Sequence, residues 1–218
     1  MIKLVHSKLG FSLILEENRV NELVVEKPSL LAEIVRELED QCEGQAGGFI
    51  LSEDGSTLVI GKNSFFVINP FSLDSNNRKI LTKLYQDIVF QVKNELYEEQ
   101  AEFCQSYLNY MDCICRQSEF SLTYNIEPTC QELLKMADVK IDIEADTLLE
   151  RIVEHIKISC SLLERNIFVF LNLKLFLTEQ EIRELYKECF YRKVHLILIE
   201  AVYMGKYPEE VHDKRMSK

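Results

Sequence analysis

The chain has 218 residues and a mass of 25.5 kDa, enough for one domain or for one domain carrying a smaller lobe. Apolar residues make up 47% and charged residues 28%, which excludes wholesale disorder, and no apolar run approaches the ~20 residues of a membrane span. The formal net charge of −11 argues against a polyanion partner unless a basic groove acts locally, since binding senses potential within a Debye length of about 8 Å.

The first third reads as short strands around one helix. Leu4–Val5 and Phe11–Leu15 can pair across Lys8-Leu9-Gly10, and Leu23–Val25 is a third apolar run. Pro28 suits the first turn of a helix, where its missing N–H is not needed. Leu30, Leu31, Ile34, Val35 and Leu38 then repeat at helical spacing, and Gly44 follows the end. Phe49–Leu51 and Leu58–Ile60 flank Asp54-Gly55, a hairpin turn signal. Phe65–Ile68 is a further strand, stopped by Asn69-Pro70.

From Phe71 to Glu127 there is neither Gly nor Pro. Asp74 or Ser75 can cap a helix with the stripe Ile80, Leu84, Ile88, Val92, Leu96, and Phe103, Tyr107, Leu108, Met111, Ile114 continue the period. One unbroken helix would be on the order of 80 Å long. Folding it back into two or three helices is the compact solution. Leu133, Leu134 and Met136 offer a short closing helix after Pro128.

Alternation returns at Val139, Ile141 and Ile143, read as an edge strand. Thr147-Leu148-Leu149-Glu150 is a capping-box pattern opening a helix through Leu163. Ile167–Leu171 and Val194–Ile199 are apolar on both faces, as in a covered parallel sheet, with a helix between them from Thr178 to about Tyr191. The expected fold is α/β. Residues 1–73 and 139–218 build a discontinuous head with a mixed sheet and flanking helices, and residues 74–138 build an inserted all-helical leg.

Enzymatic motifs fail on their own chemistry. A phosphate loop needs glycines that expose backbone N–H groups, then Lys and Ser/Thr. Gly55–Asn63 has one residue too many between its glycines, a strand-like interior, and Asn63 where a hydroxyl should bind magnesium. The strand-to-helix turn Asn69–Asn77 has no glycine. The seven cysteines form no C-x-x-C, and Cys113 and Cys115 point about 200° apart on a helix. An odd count and an N-terminus without a long apolar segment favour reduced thiols and a cytoplasmic location. His6, His155, His195 and His212 are scattered, and Glu154-His155 reads as a solvated helix face.

Arg78, Lys79 and Lys83 cluster at the entry to the helical segment, with Lys93 further along. On residues alone, a salt-bridged surface competes with phosphate contact. Glu119, Glu127, Glu132 and Asp138 recur near its exit, where a solvated surface is the plainer reading.

Six ordered stretches carry a family resemblance: Leu73–Leu81, Glu132–Ile141, Asp146–Arg151, Ile167–Asn172, Leu177–Ile182 and Leu196–Glu200. In order and spacing they resemble the short Csn-type CRISPR adaptation proteins of subtype II-A systems. The resemblance implies a degenerate P-loop-like head, an inserted helical leg and no enzymatic activity. It implies a homotetrameric ring that threads double-stranded DNA at free ends, and spacer acquisition alongside the CRISPR integrase complex and the effector nuclease. It also implies bound calcium. On that basis Arg78, Lys79 and Lys83 become candidate DNA contacts, with Lys62 and Lys93 weaker ones. Glu119, Asn125 and Glu127 become candidate calcium ligands, although Ser121 and Thr123 stand where acidic ligands are expected. The tail Val211–Lys218 lacks the final apolar strand, so its basic end is expected to be free. The rival reading is a protein–protein adaptor whose helical lobe packs on a partner helix, without a nucleic-acid role. A vestigial nucleotide-binding switch is a third.

Overall fold

The computed structural model describes residues 1–204 throughout and the backbone of residues 211–216. In chain order the elements are β1 (Ile2–His6), β2 (Ser12–Leu15), β3 (Val20–Val25), α1 (Pro28–Cys42), β4 (Phe49–Glu53), β5 (Ser56–Leu58), α2 (Ile60–Asn63) and β6 (Ser64–Val67). There follow α3 (Arg78–Glu95), α4 (Tyr97–Arg116), α5 (Cys130–Met136), α6 (Leu148–Leu163), β7 (Ile167–Leu171), α7 (Glu179–Tyr191), β8 (His195–Glu200) and β9 (Val211–Met216). Short 3-10 turns, Pro70–Ser72 and Leu173–Leu175, follow β6 and β7.

The chain divides into two compact units, Met1–Ser75 with Ile143–Lys218, and Asn76–Asp142. The boundaries fall two and four residues later than the sequence expectation of 73 and 138. Asn76 accounts for the shift. Its side chain donates to the Ile141 carbonyl (3.0 Å) and accepts from the Ile141 N–H (2.8 Å).

The head contains two sheets rather than the one mixed sheet expected. One is wholly antiparallel, in the order β2-β1-β4-β5, and the other wholly parallel, in the order β6-β7-β8-β3-β9. Strand alternation separates two cores. Ile167, Val169, Ile197 and Ile199 face the antiparallel sheet and α1, burying Leu4, Leu13, Ile34 and Leu51. Phe168, Phe170, Leu196 and Leu198 face the other way, packing with Ile152, Ile156, Ile182 and Leu185 of α6 and α7. The parallel sheet is covered on both sides, as its unbroken apolar strands require. Thr147 and Thr178 begin α6 and α7 with capping boxes closed by Glu150 and Glu181.

Three expectations are corrected. Residues 139–143 form no strand; side chains satisfy their backbone instead, Tyr85 Oη donating to the Val139 carbonyl at 2.7 Å while Asn76 clasps Ile141. The tail is not free in its backbone: Val211–Met216 pairs in parallel with Val20–Val25 at the sheet edge. A ladder is made by main-chain groups, so a polar, charged segment can close an edge. His155 is not solvated; it is 1% exposed, and its Nδ1 lies 2.9 Å from Ser75 Oγ. Burial lowers its pKa to about 4, so it is a neutral internal tie.

Inside the sheet lies a charged cluster. Lys174 Nζ donates to Glu22 Oε2 at 2.6 Å, both side chains being 1% exposed. The Lys174 N–H donates to Glu200 Oε1 at 3.2 Å.

Two stability outcomes follow from these contacts. Asn76→Ala lowers unfolding free energy by about 1–3 kcal/mol, read from urea midpoints, because it strands a donor and an acceptor on Ile141. Lys174→Met lowers it by about 3–5 kcal/mol, whereas Glu22→Leu with Lys174→Met together lose less than the two single changes summed, because no half of the pair is left charged and alone.

Candidate nucleic-acid interface

Within the helical unit, α3 has the charge pattern of a phosphate-contacting element. Asn77 is its N-cap, Oδ1 accepting from the N–H groups of Lys79 (3.0 Å) and Ile80 (3.2 Å). This cap fixes Arg78 and Lys79 in the first turn, exposed, with no acidic residue beside them in that turn. Helix N-termini carry partial positive charge and normally attract carboxylates. Two cations there work against the helix dipole and concentrate positive potential. Over its length α3 holds Arg78, Lys79, Lys83 and Lys93 against Asp87 and Glu95. It is therefore net positive on a net-negative chain. At 100° per residue, Lys79, Lys83 and Lys93 lie within about 80° of arc.

The five candidate cations are not equivalent. Lys83 is half-buried and pairs with Asp87 at 3.0 Å, so its charge is partly compensated. Lys93 occupies the last turn of α3, where a cation suits the dipole, and lines a cavity of about 710 Å³ within the leg with Val89, Cys104, Leu108 and Pro128. Lys62 belongs to the head, exposed at the end of α2. Arg78 and Lys79 are exposed, with no acidic residue in their own turn.

The turn between β6 and α3 makes its own hydrogen bonds where a phosphate loop would hold N–H groups open. Asn69 Oδ1 accepts from the Phe71 N–H, the Asn69 carbonyl accepts from the Ser72 N–H, and buried Ser75 meets His155. The glycine pair flanking β5 serves packing instead. Gly55 takes φ +87° in the hairpin turn, and a Cβ on Gly61 would lie 2.4 Å from the Cys42 carbonyl oxygen.

Glu119, Asn125 and Glu127 lie exposed in the segment between α4 and α5. Asn125 Oδ1 accepts from the Glu127 N–H, and Asn125 Nδ2 reaches Glu132 Oε2 at 3.4 Å. That same carboxylate oxygen accepts from the N–H and hydroxyl of Thr129, which holds its pKa below the usual range. Among the described residues, no three His, Cys, Asp or Glu side chains are gathered to hold a metal ion. Calcium wants 6–8 oxygens. The donors among the described residues do not make that cage.

Sequence reasoning missed the Glu22–Lys174–Glu200 cluster. Its signal was present: Glu22 sits inside Val20–Val25 and Lys174 inside Leu173–Leu177, charges embedded in apolar runs.

Residues 40–216 match the family described as CRISPR-associated protein (Cas_Csn2). A CRISPR-associated protein Csn2 of Streptococcus agalactiae is 25% identical over 166 residues, covering 75% of this chain and 75% of that protein. The crystal structure of Stu0660 of Streptococcus thermophilus shares the fold with a TM-score of 0.60 at 12% identity, covering 90% of this chain and 68% of the other. No helix among the described residues is long and apolar enough to cross a membrane. With the match running over most of its length, the chain belongs to the Csn2 family of CRISPR-associated proteins.

Proposed function

We propose that this protein is a non-enzymatic, sequence-independent binder of double-stranded DNA ends. It acts as a homotetrameric ring in the cytoplasm, during CRISPR spacer acquisition, in company with the integrase complex and the effector nuclease. The observation that carries the DNA reading is the first turn of α3, where Arg78 and Lys79 stand without a local carboxylate on a chain of net charge −11. On an acidic body the cations of α3 concentrate attraction for phosphate along that helix. Contacts to phosphates hold duplex without reading bases.

Assembly is supported by what the leg leaves uncovered. None of the 20 residues of α4 is buried, although Phe103, Tyr107, Tyr110 and Ile114 recur at helical spacing. Phe120, Ile126 and Met136 are also exposed. An apolar stripe of this length finds cover in another chain. On this reading the other chain is a second copy. The head, in turn, is a P-loop-like fold whose phosphate loop has been replaced by a side-chain-bonded turn. The adaptor reading draws on the same stripe, with a foreign helix as its cover, and the oligomeric state of the purified protein separates the two.

Affinity for linear duplex falls steeply with salt, each phosphate contact adding about 0.9 to the slope of log K against log salt, and changes little with sequence. Covalently closed duplex competes poorly against linear duplex of equal length in gel shifts; equal competition removes threading. Arg78→Glu with Lys79→Glu weakens binding by about tenfold or more at low salt while light scattering still reports the tetramer. Lys83→Glu has the smaller effect because Asp87 already compensates that charge. Unchanged binding in the double variant takes α3 out of the interface, and a monomeric wild type favours the adaptor.

A further inference from the structure

Glu22 and Glu200 of the parallel sheet and Lys174 of the turn after β7 are buried ionisable side chains that take no part in the DNA reading. Glu22 and Glu200 belong to neighbouring strands, paired so that Glu200 lies beside Val24. Both carboxylates occupy the strand positions of the face packed on α6 and α7, which otherwise holds apolar neighbours such as Val20, Leu173, Leu177 and Leu198. Lys174 enters from the turn after β7. That turn is set by Asn172, whose φ of +51° turns the chain and whose Oδ1 accepts from the Ala201 N–H at 2.8 Å. Its N–H in turn donates to the Ile199 carbonyl at 2.8 Å. The Lys174 ammonium reaches Glu22, while its N–H reaches Glu200.

The charges do not balance within this trio. Two buried carboxylates face one ammonium, and Glu22 Oε1 is buried with no hydrogen-bond partner among the described residues. A buried carboxylate without full compensation takes up a proton. On the far side of β3, β9 brings His212, Asp213, Lys214 and Arg215 into register with Asn21, Glu22, Leu23 and Val24.

We propose that Glu22, Lys174 and Glu200 form a proton-holding clasp that ties the turn after β7 to strands β3 and β8, and that this turn loosens when the proton passes to water. The turn ends at Phe176, which packs edge-on against Phe71 with ring centroids 5.1 Å apart. Phe71 lies in the segment that leads into α3, seven residues before Arg78. The clasp thus reports its proton to the approach to the cationic helix.

Burial pushes the Glu200 carboxyl up to about 7, against the pull of the Lys174 N–H and ammonium and with a further push from Glu22. A carboxyl whose folded value lies above its unfolded value of 4.5 binds more protons when folded, so its stabilisation is full below 4.5 and is lost as pH rises to about 7. Buried His155 and His195, with lowered values, act with the opposite sign over part of this range.

The test compares urea midpoints of wild type and Glu200→Gln from about pH 5 to about pH 8, where histidine contributions cancel in the difference. The wild-type midpoint falls relative to the variant up to about pH 7 and then runs level. Amide exchange at Lys174, corrected for intrinsic rate, speeds up by about tenfold or more across the window in wild type and stays flat in the variant. Parallel midpoint curves overturn the proposal. Carbon NMR of glutamate-labelled wild type gives an answer that needs no variant: one side-chain carboxyl titrating near 7 is the expected result. A full set titrating below about 5.5 overturns it.

Discussion

A parallel sheet covered on both faces governs the rest of this molecule. Its backbone is satisfied by neighbouring strands, and every side chain of β3 and β8 is removed from water. β7 shows the consequence residue by residue: Ile167 and Val169 enter one core, Phe168 and Phe170 the other. The antiparallel sheet with α1, and the α6–α7 pair, are the two covers. A charge on a central strand then has no solvent to relax into. Glu22 and Glu200 must be met from within the protein, and Lys174 is the only cation that the structure shows bonded to them among the described residues. The specificity of the turn after β7 comes from this need as much as from packing.

The same division of water from interior sorts the protein's charges by role. Those of the head sheet, Glu22, Lys174 and Glu200, are buried and bonded to one another. Those of α3 lie outside; among the described residues Arg78 and Lys79 have no ion pair, and Lys83 pairs with Asp87. A phosphate backbone approaching the chain meets an acidic surface with one cationic helix end.

Periodicity made most of this architecture legible. Thr147 and Thr178 open their helices with the capping boxes that their sequences spell out, and the apolar strands β7 and β8 pair in parallel as their double-sided composition implies. The candidate site was legible only as a cluster of basic residues. Which of them are compensated depends on Asp87 standing one turn beyond Lys83, and on the cap that sets the first turn. The misses share one physical origin, hydrogen bonds between residues remote in sequence. Val139–Ile143 alternates like a strand, yet Asn76 and Tyr85 supply the partners that a neighbouring strand would. His155 looked solvated beside Glu154, yet Ser75, 80 residues away, receives it in the interior. The polar tail gave no sign of a strand, because β3 asks only for its main-chain groups.

The turn between β6 and α3 is closed by its own side chains. A loop that cradles phosphate must leave its N–H groups unpaired and its backbone bare, which glycine allows. Here Asn69 and Asn77 take up N–H groups of that segment with their own side chains, and Ser75 is drawn inward to His155. The backbone can no longer offer a nest. What remains for an anion is beyond the cap, in the cationic side chains of the first helical turn. Side chains of that length grip a phosphate as point charges on flexible stems, without the geometry that would hold a nucleotide for hydrolysis. With the N–H groups of this turn committed to side chains within the protein, the positive potential here comes from the side chains of the first helical turn rather than from open backbone.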